Sequence, residues 1–304
     1  MRRILFGIIV LLLITIPAEA ANRFAFCATT CTWDATNQTM WGTASGGVGV
    51  PASVPGVNDV AIFDAATCVA GTTCTITVNY NPTIQQITMG ACTASTAGCI
   101  LDFSANNNSP TISVGFSGTG TGTRTLNMGN GTWTVVGTTG NTWDNTTVTN
   151  FTFNANGSTL LFTGNLTTNL NIIWGAGINY NAITFGAAPN RGGWVWTTAV
   201  GTLGTLTLTA PNTFFLAQTV TFPATAIATS GGSASSMIFI SSNNTSNAAT
   251  ISDTAGTNTL DFVSLRKITF SGGATFNATN SIDLGGNSGV TIMPPSGGGR
   301  CIGC

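Results

Sequence analysis

The 304 residues carry eight Lys and Arg against nine Asp and Glu, no His and a net charge of −1, and only 6% of them are charged. Beyond Ala20 there is no Glu and a single Lys, Lys267. That excludes imidazole-dependent triads and Cys–His dyads, a clustered basic footprint for nucleic acid and a polybasic patch for anionic lipid.

Arg2-Arg3, an apolar run from Ile4 to Ile16 and Pro17-Ala18-Glu19-Ala20 read as a secretory signal peptide over residues 1–20, cleaved after Ala20. The run is shorter than the ~18 apolar residues that a membrane anchor needs. A secreted or cell-surface protein is therefore expected, with no membrane insertion after signal removal. One elongated β domain is expected over residues 22–293, followed by a flexible Pro/Gly/Cys tail over 294–304.

The eight Cys fall in close pairs, Cys27/Cys31, Cys68/Cys74, Cys92/Cys99 and Cys301/Cys304, as suits disulfides formed in an oxidising compartment. Sequence leaves their connectivity open, because bridges between stacked layers, such as Cys74 to Cys92, are as reasonable as local ones. Without His or a second CxxC, no zinc or other metal site is expected. The Cys301/Cys304 pair reads as a terminal bridge, with self-association through interchain crosslinks as the alternative.

From Cys74 onward, short bursts alternate apolar and polar residues, as in Ile76-Thr77-Val78, Thr132-Trp133-Thr134-Val135, Phe151-Thr152-Phe153 and Thr205-Leu206-Thr207-Leu208-Thr209. Period-two alternation rich in Thr and aromatics predicts half-buried strands, and no convincing 3.6-residue period appears. Asn130-Gly131 and Asn156-Gly157 lie between such bursts and look like hairpin turns, which favours an antiparallel sandwich or meander. Internal echoes favour a stack of small β units instead: Thr32-Trp33-Asp34-Ala35-Thr36 resembles Thr142-Trp143-Asp144-Asn145-Thr146.

The segments Cys31–Asp34, Trp41–Gly47 and Val54–Asp64, and later Ile251–Leu265, Gly272–Ser281 and Gly285–Gly289, resemble the opening and closing units of large secreted and phage-associated β-strand-repeat proteins. The resemblance implies a parallel β-helix like those of adhesins and autotransporter passengers. It carries no catalytic residues to transfer, and the family pattern usually closes with an aromatic where this chain has Val290. On that basis the expected fold is a right-handed parallel β-helix, with the antiparallel arrangement as runner-up.

Only eight Asp could serve acid–base chemistry. Asp59 and Asp64, flanking Val60–Phe63, read as turn-capping residues rather than a catalytic pair, so no enzyme and no cofactor are expected. Trp194 and Trp196 lie two apart on one strand face beside Arg191. They are a candidate platform for stacking sugar rings, with inward core packing as the competing reading. The Thr-x-Thr runs at Thr205/Thr207/Thr209 and Thr219/Thr221 place hydroxyls in register on a β face. These features point to a structural or adhesive protein presenting a Thr/Asn-rich face to glycans or another surface. The alternatives are a polysaccharide-degrading enzyme built on Asp and a virion-associated fibre component.

Overall fold

The structure, a computed structural model, describes residues 20–46, 51–90, 92, 98–137, 142–166, 170–173, 175, 177–188, 192–196, 200–217 and 221–295. Residues 1–19, Arg191, Thr219, Cys301 and Cys304 lie outside these, and with them the signal-peptide, tail and terminal-bridge expectations. Among the described residues every regular element is a β-strand, and no sheet closes on itself.

The strands form parallel ladders. The first runs through Asn22–Ala25, Val60–Phe63, Thr83–Met89, Thr111–Ser117, Thr132–Val135, Thr159–Phe162, Tyr180–Phe185, Leu203–Thr209 and Thr221–Ser230, each paired in parallel with the next. From the leading end of that last strand, where Thr221–Pro223 pair with Thr250–Ser252, a parallel ladder runs on through Ala249–Asp253 and Ile268–Gly272. Parallel neighbours cannot be joined by a tight turn. Over most of the chain each partner therefore lies roughly 20–30 residues further on: Thr132 faces Thr159, Thr159 faces Ala182 and Ala182 faces Thr205.

The residues in between build the other ladders. A second starts where Phe116 and Ser117 pair with Trp143 and Asp144, and runs through Leu170–Ile173, Trp194–Trp196, Asn212–Leu216, Ile238–Ser242, Val263–Arg266 and Ile282–Asp283. A third joins Thr30–Trp33, Cys74–Val78, Cys99–Asp102, Arg124–Asn127 and Phe151–Asn154. A fourth joins Thr257–Asp261, Thr275–Thr279 and Thr291–Ile292 near the C-terminal end. At the N-terminal end Trp41–Gly42 lies antiparallel to Asn22–Ala25 and covers its otherwise unpaired edge.

Parallel pairing overturns the antiparallel sandwich or meander, and the two Asn-Gly pairs show why the sequence suggested it. Arg124–Asn127 and Thr132–Val135, on either side of Asn130-Gly131, belong to different ladders and do not pair with each other. The dipeptide turns a corner between ladders. A Cβ on Gly131 would lie 2.2 Å from the Asn108 carbonyl oxygen, and Asn156 takes the left-handed region at φ 50°, which Asn tolerates as well in a corner as in a hairpin. The corners stack on one another: Asn107 Oδ1 accepts the Asn130 N–H at 2.9 Å, and Asn130 Oδ1 accepts the Gly157 N–H at 3.0 Å.

In-register stacking brings like side chains together inside. Phe162 sits opposite Phe185 with ring centroids 4.9 Å apart, and Trp194 sits opposite Phe214. Phe103, Trp133, Trp143 and Phe116 make a second aromatic run, each pair worth ~0.5–1.5 kcal/mol beyond its buried area. The Cys pair locally, as Cys27–Cys31, Cys68–Cys74 and Cys92–Cys99, so the Cys74–Cys92 alternative is not formed. Cys27 faces Cys68, and Cys74 faces Cys99, across neighbouring layers.

Candidate functional site

Alternation along the first ladder sends one residue in two inward and leaves the other outside. In-register pairing then arranges the outer residues in rows, with neighbours in a row about 4.8 Å apart. One row reads Thr83, Thr111, Thr134, Leu161, Thr184, Thr207 and Ala228. The next reads Thr132, Thr159, Ala182, Thr205 and Ala226. Thr209 and Ser230 extend the pattern with their hydroxyl oxygens 3.1 Å apart. Further along, Thr250, Thr269 and Ser288 stack in the same way, with the Ser288 hydroxyl 3.2 Å from that of Thr269. The first two rows contain small and hydroxyl side chains, one Leu and no charge.

The third ladder stops at Phe151–Asn154, which has a ladder partner on one side only, Arg124–Asn127. In the next layer, among the described residues, the chain has no strand on that side between Leu170–Ile173 and Tyr180–Phe185. The missing strand leaves a groove of about 430 Å³ lined by Phe153, Asn154, Asn156, Asn179, Tyr180 and Asn181, among others. Phe153 is half-buried against the Tyr180 ring, with centroids 5.1 Å apart, and the four Asn are exposed. The Asn154 amide donates to Asn127 Oδ1 at 2.7 Å and the Asn181 amide to the Ser158 carbonyl at 3.1 Å. Tyr180 is buried, and its hydroxyl accepts from Trp143 Nε1 and from the Asn145 amide. Burial pushes its ionisation well above the usual phenol range.

Arg124 braces this end of the third ladder from beneath. It is fully buried. Its Nη1 donates to the carbonyls of Gly122 and Thr149, and its Nη2 to those of Gly118 and Thr147, over distances of 2.5–3.1 Å. Its guanidinium carbon lies 4.5 Å from the centroid of Phe151, which in turn packs against Phe153. Burial pushes the group down to about 10, so it remains charged at neutral pH. Among the described residues the one ion pair is elsewhere, Arg23 with Asp59.

The sequence-derived candidates fare unevenly. Trp194 and Trp196 are 0% and 1% exposed and pack against Phe162, Phe185 and Phe214. The surface sugar platform is thereby corrected: both indoles face the core, and neither offers a face to a ligand. Asp59 Oδ2 accepts the Gly56 N–H and Asp64 Oδ1 accepts the Ala66 N–H, so both close turns. Asp34, Asp102, Asp144 and Asp283 each accept backbone N–H groups two residues on in the same manner. The Thr-Trp-Asp echo is structural: Asp34 binds the N–H and hydroxyl of Thr36, Asp144 binds those of Thr146, and both preceding Trp are buried. Among the described residues no three acidic, His or Cys side chains converge as a cation site.

Sequence reasoning missed the groove. Phe153 and four Asn carry no signal in so Asn-rich a chain, and the repeat length gives none, since Thr111 faces Thr134 across as many residues as Thr159 faces Ala182. No protein-family model, curated protein or solved structure matches the chain.

Proposed function

We propose that the ladders are the faces of a right-handed parallel β-helix, and that the protein is a secreted or cell-surface structural or adhesive protein whose hydroxyl- and amide-rich side meets glycans or another surface. Support for the coil comes from the regular parallel registers along the first ladder, and the hand follows from the near-universal chirality of parallel crossovers. Three disulfides suit an extracellular setting, and the resemblance to adhesin-like β-strand-repeat proteins points the same way.

The observation that carries the functional reading is the uncharged double row of Thr and Ala, with one Leu, on the first ladder. A surface of this kind forms many weak hydrogen bonds to neutral hydroxylated partners and attracts little else, because charge steers association and here charge is absent. The test is retention of purified protein on insoluble neutral polysaccharides, compared with a Thr184→Lys/Thr207→Lys variant. These two residues are neighbours in one outer row. The expected result is retention by the parent protein and loss in the variant at unchanged circular dichroism. Absence of retention on every neutral polysaccharide would overturn the reading.

A further inference from the structure

We propose that the groove left where the third ladder ends is a binding site for a neutral oligosaccharide, with the Phe153 ring as its floor and the amides of Asn154, Asn156, Asn179 and Asn181 as its hydrogen-bonding walls. This rests on the glycan reading above and assigns it a place.

The chemistry of the lining selects the ligand class. Sugar rings present an apolar C–H face and a rim of hydroxyls that each donate and accept. An aromatic face buries the first, and primary amides, which carry both donor hydrogens and an acceptor oxygen, match the second. Four exposed amides surround one half-buried phenyl ring, and among the described residues no Asp, Lys or Arg lines the groove. An acidic or basic ligand would find no counter-charge there.

The groove is also held open by construction. A Cβ on Gly204 would lie 2.2 Å from the Asn181 carbonyl oxygen, and one on Gly201 would lie 2.4 Å from Asn179 Oδ1. Glycine at both positions lets the following layer pass close behind Asn179 and Asn181 without displacing them. From below, Phe151 fixes Phe153 and is itself covered by Arg124. The ring is thus presented in one orientation, which lowers the ordering cost of binding.

The experiment is titration of the full chain with cello-, xylo- and chito-oligosaccharides, followed by calorimetry and by NMR shifts of Asn side-chain amides. Phe153→Leu keeps apolar bulk but removes the ring, and Asn179→Ala removes one wall. At least one of these sugars is expected to shift the groove amides, with affinity reduced about tenfold by Phe153→Leu and severalfold by Asn179→Ala. If polysaccharide retention persists while no oligosaccharide shifts the groove amides, or if Phe153→Leu binds unchanged, the site is overturned and the adhesive reading stands. If retention is also absent, both fall. Preferential binding of an uncharged extended peptide, added to the open edge of Phe151–Asn154, would likewise overturn the sugar assignment.

Discussion

Replacing Arg124 by Met should lower the unfolding free energy by about 4 kcal/mol, the low end of ~1–3 kcal/mol for each of the four carbonyls left without a donor. Its guanidinium makes four charge-assisted hydrogen bonds, two per Nη, and a desolvated contact with the Phe151 ring. Burying the guanidinium costs several kcal/mol against this. Met recovers that desolvation cost but leaves four carbonyls without their donor, at ~1–3 kcal/mol each where water cannot reach them. Lys keeps the charge, yet a single ammonium cannot serve carbonyls that two separate nitrogens now hold, so it should fall between Arg and Met.

Urea unfolding followed by far-UV circular dichroism, compared at equal m-values, measures the difference. The pH dependence has a defined sign. The folded-state value, about 10, lies below the ordinary 12.5, so above pH ~10 the unfolded chain holds the proton more firmly and stability rises with pH. Below pH ~9 both states are protonated and the group adds no slope. A Met variant within ~1 kcal/mol of the parent, or a Lys variant less stable than the Met one, would refute this account of the corner.

Reduction of the three disulfides, which close loops spanning 4 to 7 residues, should cost about 2 kcal/mol per bridge in the chain-entropy picture; the urea midpoint with and without reductant measures it, and an unchanged midpoint would argue against stapling. Trp194→Ala should destabilise by about 3–5 kcal/mol through the cavity it leaves and should leave oligosaccharide affinity of the folded fraction unchanged, as thermal unfolding and calorimetry would show. The Asp34 carboxyl is held below its ordinary 3.8 by hydrogen bonds from the Thr36 N–H first, then the Thr36 hydroxyl and the Asn37 N–H. Its contribution is therefore complete above pH ~4 and lost as pH falls through the lower folded value; a carboxyl NMR titration with a midpoint at or above 3.8 would contradict the turn.

Strand content was legible because alternation is a local property: Thr132-Trp133-Thr134-Val135 states its inner and outer faces without reference to any neighbour. Strand direction was not, since the left-handed conformation that Asn-Gly supplies serves a hairpin and a corner equally, and only the partner strand tells them apart. The Trp194 and Trp196 pair shows the same boundary. Spacing placed both indoles on one face, but that this face is inside follows from the ring contacts with Phe162 and Phe185. The turn roles of Asp59 and Asp64 could be read early because an Asp capping its own turn needs only its nearest residues. The groove could not, because it arises where, among the described residues, Phe151–Asn154 has no further ladder partner.

Registered parallel stacking also accounts for the composition that first set this chain apart. Each outer position lies about 4.8 Å from its equivalents in the layers above and below, so a charge repeated at that position would meet its own kind twice. At that separation two like charges repel by roughly 1–3 kcal/mol near a protein surface, and each added layer repeats the cost. Hydroxyls and amides carry no such penalty and can bond along the row, as Asn154 does with Asn127 and Ser288 with Thr269. The carboxylates instead sit at turns and strand ends, where Asp34, Asp102, Asp144 and Asp283 find N–H groups within their own loop. The same arithmetic that keeps Lys and Glu off the ladder faces leaves those faces neutral and hydroxylated, and that is the chemistry on which the proposed recognition of a neutral partner rests.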